Sequence, residues 1–363
     1  MKTKIVRELV LTFLICAISV SAFGLGTNDE AQGTDHGGGD KKFDASSFII
    51  DHVLDSHEWH ILTIGEGANE KNIAIYLPVI LYSSEKGFDI FSSKKLAHGH
   101  VYKGYRLEEE GDFKGKILNV NAEGVADTEN RPLDFSITKT VVGMLFAAII
   151  GLWIFLALAR SYKKSGISHP RGIQSFLEPV VLFIRDDIAL PNIGEHKYEK
   201  YMPYLLSVFF FILLNNIMGL IPFPPPFGAN VTGNIGVTFV LALFTFLITQ
   251  FSGNKNHWKH VFAAPGVPTW LLPIMIPVEI IGLISKPFAL MIRLFANITA
   301  GHIIVLSLIC LIFIFDSVWV SPVSILFVVF MDCIELFVAF LQAYIFTLLS
   351  ALFIGMATAE EHH

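Results

Sequence analysis

The chain has 363 residues, 53% of them hydrophobic and 16% charged. A mean hydropathy of +0.58 excludes a disordered chain and points to a protein that crosses a membrane several times. A formal net charge of −6 weighs against nucleic acid as a partner, and Cys16, Cys310 and Cys333, all in apolar runs, imply no disulfide framework.

Residues 1–22 have the form of a secretory signal: Lys2, Lys4 and Arg7, an apolar core from Leu9 to Val20, and small residues at Ser21-Ala22. The alternative is an uncleaved anchor helix. Residues 23–138 are the most polar part of the chain. They open on a flexible Gly- and Asp-rich linker, GTDHGGGD, and continue into short β-type runs, His60–Ile64 and Asn72–Leu77, with Gly65 and Gly67 between them. The expectation is a periplasmic linker and a small β-rich domain. Asp51, His52, Asp55, His57, Glu58 and His60 match no strong metal-ligand spacing, so a solvated surface is expected there and no metal.

From residue 139 onward the pattern is helical and apolar. A first span covers Val141–Leu158, and Arg160, Lys163, Lys164 and Arg171 after it set that end in the cytoplasm by the positive-inside rule. Ser175–Leu190 is amphipathic, with Phe176, Val180, Phe183 and Ile184 at helical spacing, as for a helix lying at the membrane interface. Tyr204–Leu220 and Ile235–Phe251 are the second and third spans. They are separated by an uncharged, proline-rich loop, and Lys255, His257, Lys259 and His260 follow the third. Two longer runs remain, about 274–315 and 321–356. A helix of about 35 residues is roughly 50 Å long against a hydrocarbon core of about 30 Å, so these two must tilt, kink or break. The fold class is a mainly α, polytopic membrane protein with about five embedded helices, the C-terminus lying in the cytoplasm.

Ionisable residues inside such runs are functional candidates by default. Arg293 has Asn297 one turn on, and Lys286 and Glu279 lie near the same face, about 20° and 40° away on an ideal wheel. The last helix carries Glu335 and Gln342 on one face, with Asp332 a turn before Glu335. One antiparallel register brings Arg293 level with Gln342 and His302 level with Glu335. His302 is about 180° around the helix from Arg293, so a direct His302–Glu335 contact requires twist, a kink near Gly301 or a water. Asn215 and Asn216 in the second span serve either as interhelical glue or as channel polar groups.

The segments Arg293-Leu294-Phe295-Ala296-Asn297, Ala300-Gly301-His302 and Leu341-Gln342-Ala343-Tyr344-Ile345-Phe346 resemble the a subunit of the rotary F-type ATP synthase, over roughly residue 139 to the C-terminus. The resemblance implies a stator proton channel in a bacterial inner membrane. Two half-channels deliver protons to and from the carboxylates of a rotating c ring, with a b-type stalk and nucleotide-binding subunits as further partners and no cofactor. It implies proton translocation by Arg293, His302, Glu335, Asn297, Gln342 and Glu279, with Asn215, Asn216 and Lys286 as channel or packing groups. A histidine at 302 and an acid at 335 reverse the order seen in a common bacterial pattern. The chain has no G-x-x-x-x-G-K-[ST] loop, so it is not expected to be an enzyme by itself. The alternatives are a proton-coupled secondary transporter, for which internal repeats are expected and none is seen, and a purely structural scaffold.

Overall fold

The computed structural model describes residues 45–64, 71–84, 86–109, 111, 113–121, 125–128, 130–165, 172–221, 225–262, 269–315 and 320–359. The expected signal segment and Gly-rich linker lie outside the described residues. So do the turn at Asp316-Ser317 and the last four residues.

A small β-rich region precedes the helices. After helix α1 (Ala45–Val53), strand β1 (Glu58–Ile64) pairs antiparallel with β2 (Lys71–Tyr76). Strands β3 (Pro78–Ser83) and β4 (Gly87–Ser92) form a sheet with β8 (Leu133–Asp134) in the order β4-β3-β8. Strands β5 (Tyr105–Leu107), β6 (Ile117–Val120) and β7 (Ala126–Asp127) form a third sheet. Val79, Leu81 and Phe91 alternate onto one face and pack on Leu96, Tyr105 and Ile117, so period-two patterning builds this small core. Helix α1 had no counterpart in the sequence reading.

The acidic and histidine-rich stretch is less solvated than expected. His57 is 8% exposed, and its Nε2 lies 2.9 Å from Asp134 Oδ2 on β8. Burial pushes the Asp134 carboxyl up, but the His57 contact and Ser136 outweigh it and hold it below the ordinary value of 3.8. His52 is exposed. No group of metal-ligating side chains occurs among the described residues.

Among the described residues five helices are long and apolar enough to cross a membrane: α2 (Lys139–Ser165), α5 (Tyr198–Leu220), α6 (Ile235–Ser252), α8 (Leu272–Phe315) and α9 (Ser321–Thr358). Between α2 and α5, helix α3 (Ile173–Phe183) runs through a π-helical turn (Ile184–Ala189) into α4 (Leu190–Ile193), and α7 (Lys255–Phe262) follows α6. The amphipathic segment is present, and Val180, Phe183 and Ile184 of its expected apolar face pack on the core. Leu177, Ile184, Ile188 and Ala189 are buried, whereas Phe176 is 76% exposed. From Ile184 onward the π turn shifts which positions face inward, which brings in Ile188 and Ala189.

Helix α5 is the hub. In its most apolar window 72% of residues are buried, against 6% for α8 and 11% for α9. Phe210 meets Phe155 of α2 edge-on at 5.0 Å, and Phe209 meets Phe340 of α9 at 5.8 Å. A polar ladder missed in the sequence ties α5, α6 and α9 together: the Tyr204 hydroxyl lies 2.7 Å from Thr245 Oγ1, which lies 3.3 Å from Ser350 Oγ. Helices α8 and α9 have 44 and 38 residues and run without a break despite Pro277 and Pro287. At 1.5 Å per residue they are about 66 and 57 Å long, far beyond the hydrocarbon thickness. Each leaves one long apolar flank open, including Ile284, Phe288 and Ile292 on α8 and Leu336 and Phe337 on α9.

Candidate functional site

Helices α8 and α9 form an antiparallel hairpin. Ser324 Oγ of α9 donates to the Leu308 carbonyl of α8 at the end of the bundle that carries the β-rich region, here the domain end. Deeper in, Asn297 Nδ2 donates to Gln342 Oε1 at 2.9 Å. The expected register therefore holds, but Gln342 is joined to Asn297 and not to Arg293. Gln342 is 1% exposed, and its Nε2 has no hydrogen-bond partner among the described residues.

His302 and Glu335 come together on the domain-end side of Asn297. His302 Nδ1 lies 3.8 Å from Glu335 Oε2, with side chains 17% and 11% exposed. That separation is too long for a direct hydrogen bond and suits one bridged by water. The approach depends on Gly301. A Cβ built there would lie 2.0 Å from Glu335 Oε1, so the missing side chain leaves room for the carboxylate to lie across α8. Glu335 Oε1 is buried without a hydrogen-bond partner among the described residues. On the other side of the imidazole, a Cβ at Gly219 of α5 would lie 3.6 Å from His302 Nε2.

The two asparagines of α5 serve different neighbours. Asn216 Nδ2 donates to the Ala339 carbonyl of α9 at 3.3 Å, and its Oδ1 accepts from Thr232 Oγ1 at 2.6 Å. Asn215 Nδ2 donates within its own helix to the Phe211 carbonyl, and its Oδ1 is an orphan among the described residues. The loop before α6 folds back over them: Ala229, Asn230, Val231 and Thr232 are all buried. This re-entrant loop was not legible as buried, because its only sequence signal is its lack of charge.

Arg293 faces the opposite way. It is exposed on the open flank of α8, next to the exposed Ile292. It has no hydrogen-bond or ion-pair partner among the described residues. A guanidinium on an apolar, membrane-depth surface costs at least about 2.5–3.5 kcal/mol unless something meets it. It also stays protonated when desolvated, unlike a lysine.

Glu279 and Lys286 do not join this group. They lie towards the far end of α8, where a cavity of about 360 Å³ is lined by Thr245, Thr249, His257, Glu279, Lys286 and Phe353. Glu279 Oε1 is 4.0 Å from His260 Nδ1, and Lys286 Nζ is 5.7 Å from the Phe353 ring centroid. Burial, together with the charges of Lys286 and His260, holds the His257 imidazole below its ordinary 6.5. Asp332 is exposed a turn beyond Glu335.

The polar centres are thus three: an inward His302–Glu335 pair towards the domain end, an outward arginine at mid-helix, and a cavity with an acid at the far end. A family model described as ATP synthase A chain matches residues 141–355. The chain belongs to the ATP synthase A chain family. Among its relatives, the ATP synthase subunit a of Chloroherpeton thalassium is 51% identical over 234 residues, covering 63% of this chain and 69% of that protein. The ATP synthase subunit a 2 of Chlorobaculum tepidum is 54% identical over 234 residues, covering 62% of this chain and 64% of that one. The subunit a of an Anaeromyxobacter species (strain Fw109-5) is 42% identical over 311 residues, covering 77% of this chain and 74% of that protein. That share is more than residues 139–363 make up, so this match reaches into the β-rich region, beyond the stretch that carries the resemblance. A second family model, a domain of unknown function (DUF8433), matches residues 48–135. Membership in the family makes this a multi-pass membrane protein of the F-type ATP synthase.

Proposed function

We propose that this chain is the stator subunit through which protons pass to and from a rotating ring of c subunits. The reading is carried by Arg293, a permanent positive charge without a partner among the described residues, on an exposed apolar flank within the long apolar stretch of α8. The ring supplies the missing partner: a carboxylate carried past at the same depth is stabilised in its ionised form by the fixed charge. The excess length of α8 and α9 gives the hairpin a broad, tilted flank to lay against a curved ring.

Protons reach the ring through water-linked polar groups that stop short of Arg293 from either side. From the domain end the path runs by His302 and Glu335, with Asn297, Gln342, Asn215 and Asn216 bounding it. An imidazole can accept a proton at one ring nitrogen and donate one from the other, and a carboxylate can accept one, so the pair can hand a proton on through water. From the far end the path runs by Glu279 and Lys286 at the cavity mouth. The β-rich domain lies in the periplasm, and residues 160–200, 253–260 and the C-terminus lie in the cytoplasm, as the basic residues after the first and third spans favour. Nucleotide chemistry sits on partner subunits, and a b-type stalk holds the stator. Family membership does not favour a proton-coupled secondary transporter.

Copurification tests the assembly. A tagged chain solubilised in mild detergent is expected to bring down the c ring and the nucleotide-binding subunits. An Ala296→Cys chain, altered one turn from Arg293 on the exposed flank, is expected to form a disulfide with a cysteine placed on the ring helix. Recovery of the chain alone, with no cross-link in native membranes, would remove the ring from the account.

A further inference from the structure

The β4-β3-β8 sheet has two apolar faces, of which the described residues cover only one. Antiparallel sheets with one wet face alternate apolar-in and polar-out. Here Val79, Leu81 and Phe91 point into the small core, and the opposite face carries Ile80 and Tyr82 of β3, Phe88 and Ile90 of β4, and Leu133 and Phe135 at β8. These six form two rows across three strands, because Tyr82 pairs with both Phe88 and Leu133, and Ile80 pairs with Ile90 while its carbonyl accepts from the Phe135 amide. Phe88 and Ile90 are 69% and 68% exposed, and the Tyr82 and Phe88 rings lie 4.9 Å apart. A contiguous apolar surface of this kind marks an interaction site.

We propose that this face rests on lipid, in the headgroup layer of the leaflet at which α2 begins. Phe135 is four residues from Lys139, the first residue of that span, so even an extended chain separates them by at most about 14 Å. The headgroup layer is itself about 5–8 Å deep on each side of the hydrocarbon. The connection is also stiff. The Ile137 amide donates to the Pro78 carbonyl at 3.1 Å, the Lys139 amide to the Ser56 carbonyl at 2.9 Å, and the Thr140 amide to Asp55 Oδ1 at 3.0 Å, which caps α2. Lys139 Nζ donates to the His52 carbonyl at 3.3 Å, and α1 packs against α8, so the domain leans on the bundle. Aromatic and aliphatic side chains held this close to a span suit the membrane–water boundary, where phenol and phenyl rings concentrate. The docking goes beyond proton transfer: it anchors the domain and, through Asp55 and Lys139, fixes the start of α2.

The test places nitroxides on the face. Phe88→Cys and Ile90→Cys are made in a full-length chain whose own three cysteines are alanine, labelled, and reconstituted into phosphatidylcholine–phosphatidylglycerol vesicles. Lys94→Cys, at an exposed position just past β4, is the water reference. Both face labels are expected to collide freely with oxygen and several-fold less with a water-soluble nickel chelate than the reference does. Nickel access equal to the reference would mean the face is open to water. Shielding from both oxygen and nickel would mean a protein partner covers it. Either result overturns the proposal. Phe88→Trp, which keeps the face apolar, is an independent check: brominated acyl chains should quench its fluorescence beyond that of the unsubstituted chain, and no added quenching contradicts lipid contact.

Discussion

Arg293 and His302 are nine residues apart on one helix and look in opposite directions, one onto an open flank and the other into the bundle. That division gives each a separate test. His302 and Glu335 lie close but not in direct hydrogen-bonding contact, and Glu335 Oε1 lacks a protein partner among the described residues. His302→Ala and Glu335→Ala are therefore each expected to slow proton-driven ATP synthesis about tenfold or more, on the scale of lost proton-transfer groups, without making vesicles leaky. The exchange double mutant, His302→Glu with Glu335→His, should recover more activity than either single exchange. Proton pumping and ATP synthesis in matched vesicles read both outcomes. Additive single defects with no rescue would mean the pair does not act as a unit.

Where helices meet, two glycines carry geometry that a side chain would break. Gly301→Ala should push the Glu335 carboxylate away from His302 and lower coupling with little loss of assembled protein. At Gly355 of α9 a Cβ would lie 1.8 Å from the Asn192 carbonyl oxygen of α4, and that obstacle is backbone. Gly355→Ala should destabilise the bundle by about 1–3 kcal/mol, as overpacking does, visible as a lower melting temperature in detergent. In the β4-β3-β8 sheet, the His57 contact and Ser136 hold the Asp134 carboxyl below its ordinary 3.8, so its contribution to stability is full above 3.8 and is lost as pH falls through its lower folded value. Cleavage of the domain by pepsin should rise over that acid range, and Asp134→Asn should flatten the dependence. The spans and the α8–α9 register were legible because apolar length and a constant antiparallel offset survive tilting. The Asn297–Gln342 bond and the close approach of His302 to Glu335 were not, since an ideal wheel ignores helix crossing and the room left by Gly301. The burial of Ile188 and Ala189 was not legible because a π turn shifts the helix phase from Ile184 onward.

At the scale of the whole molecule, the described residues hold five helices long and apolar enough to cross a membrane, and two of them leave an open apolar flank. With topology as proposed, a membrane-impermeant thiol reagent should label Ser92→Cys from the periplasmic side and Ser165→Cys from the cytoplasmic side, and the reverse pattern would overturn the arrangement. Energy coupling is the larger matter. One charge crossing 100 mV releases about 2.3 kcal/mol, so ATP synthesis requires several protons, and the proposed mechanism requires each to pass onto the ring and none to short-circuit past Arg293. The most direct measurement is ATP synthesis and passive proton flux in inverted vesicles carrying Arg293→Ala or Arg293→Lys, with subunit content checked. The account predicts normal assembly and no coupled synthesis in either variant, because neither a neutral side chain nor a point charge with a shiftable pKa replaces the guanidinium. Coupling at the unsubstituted level in either variant would contradict it.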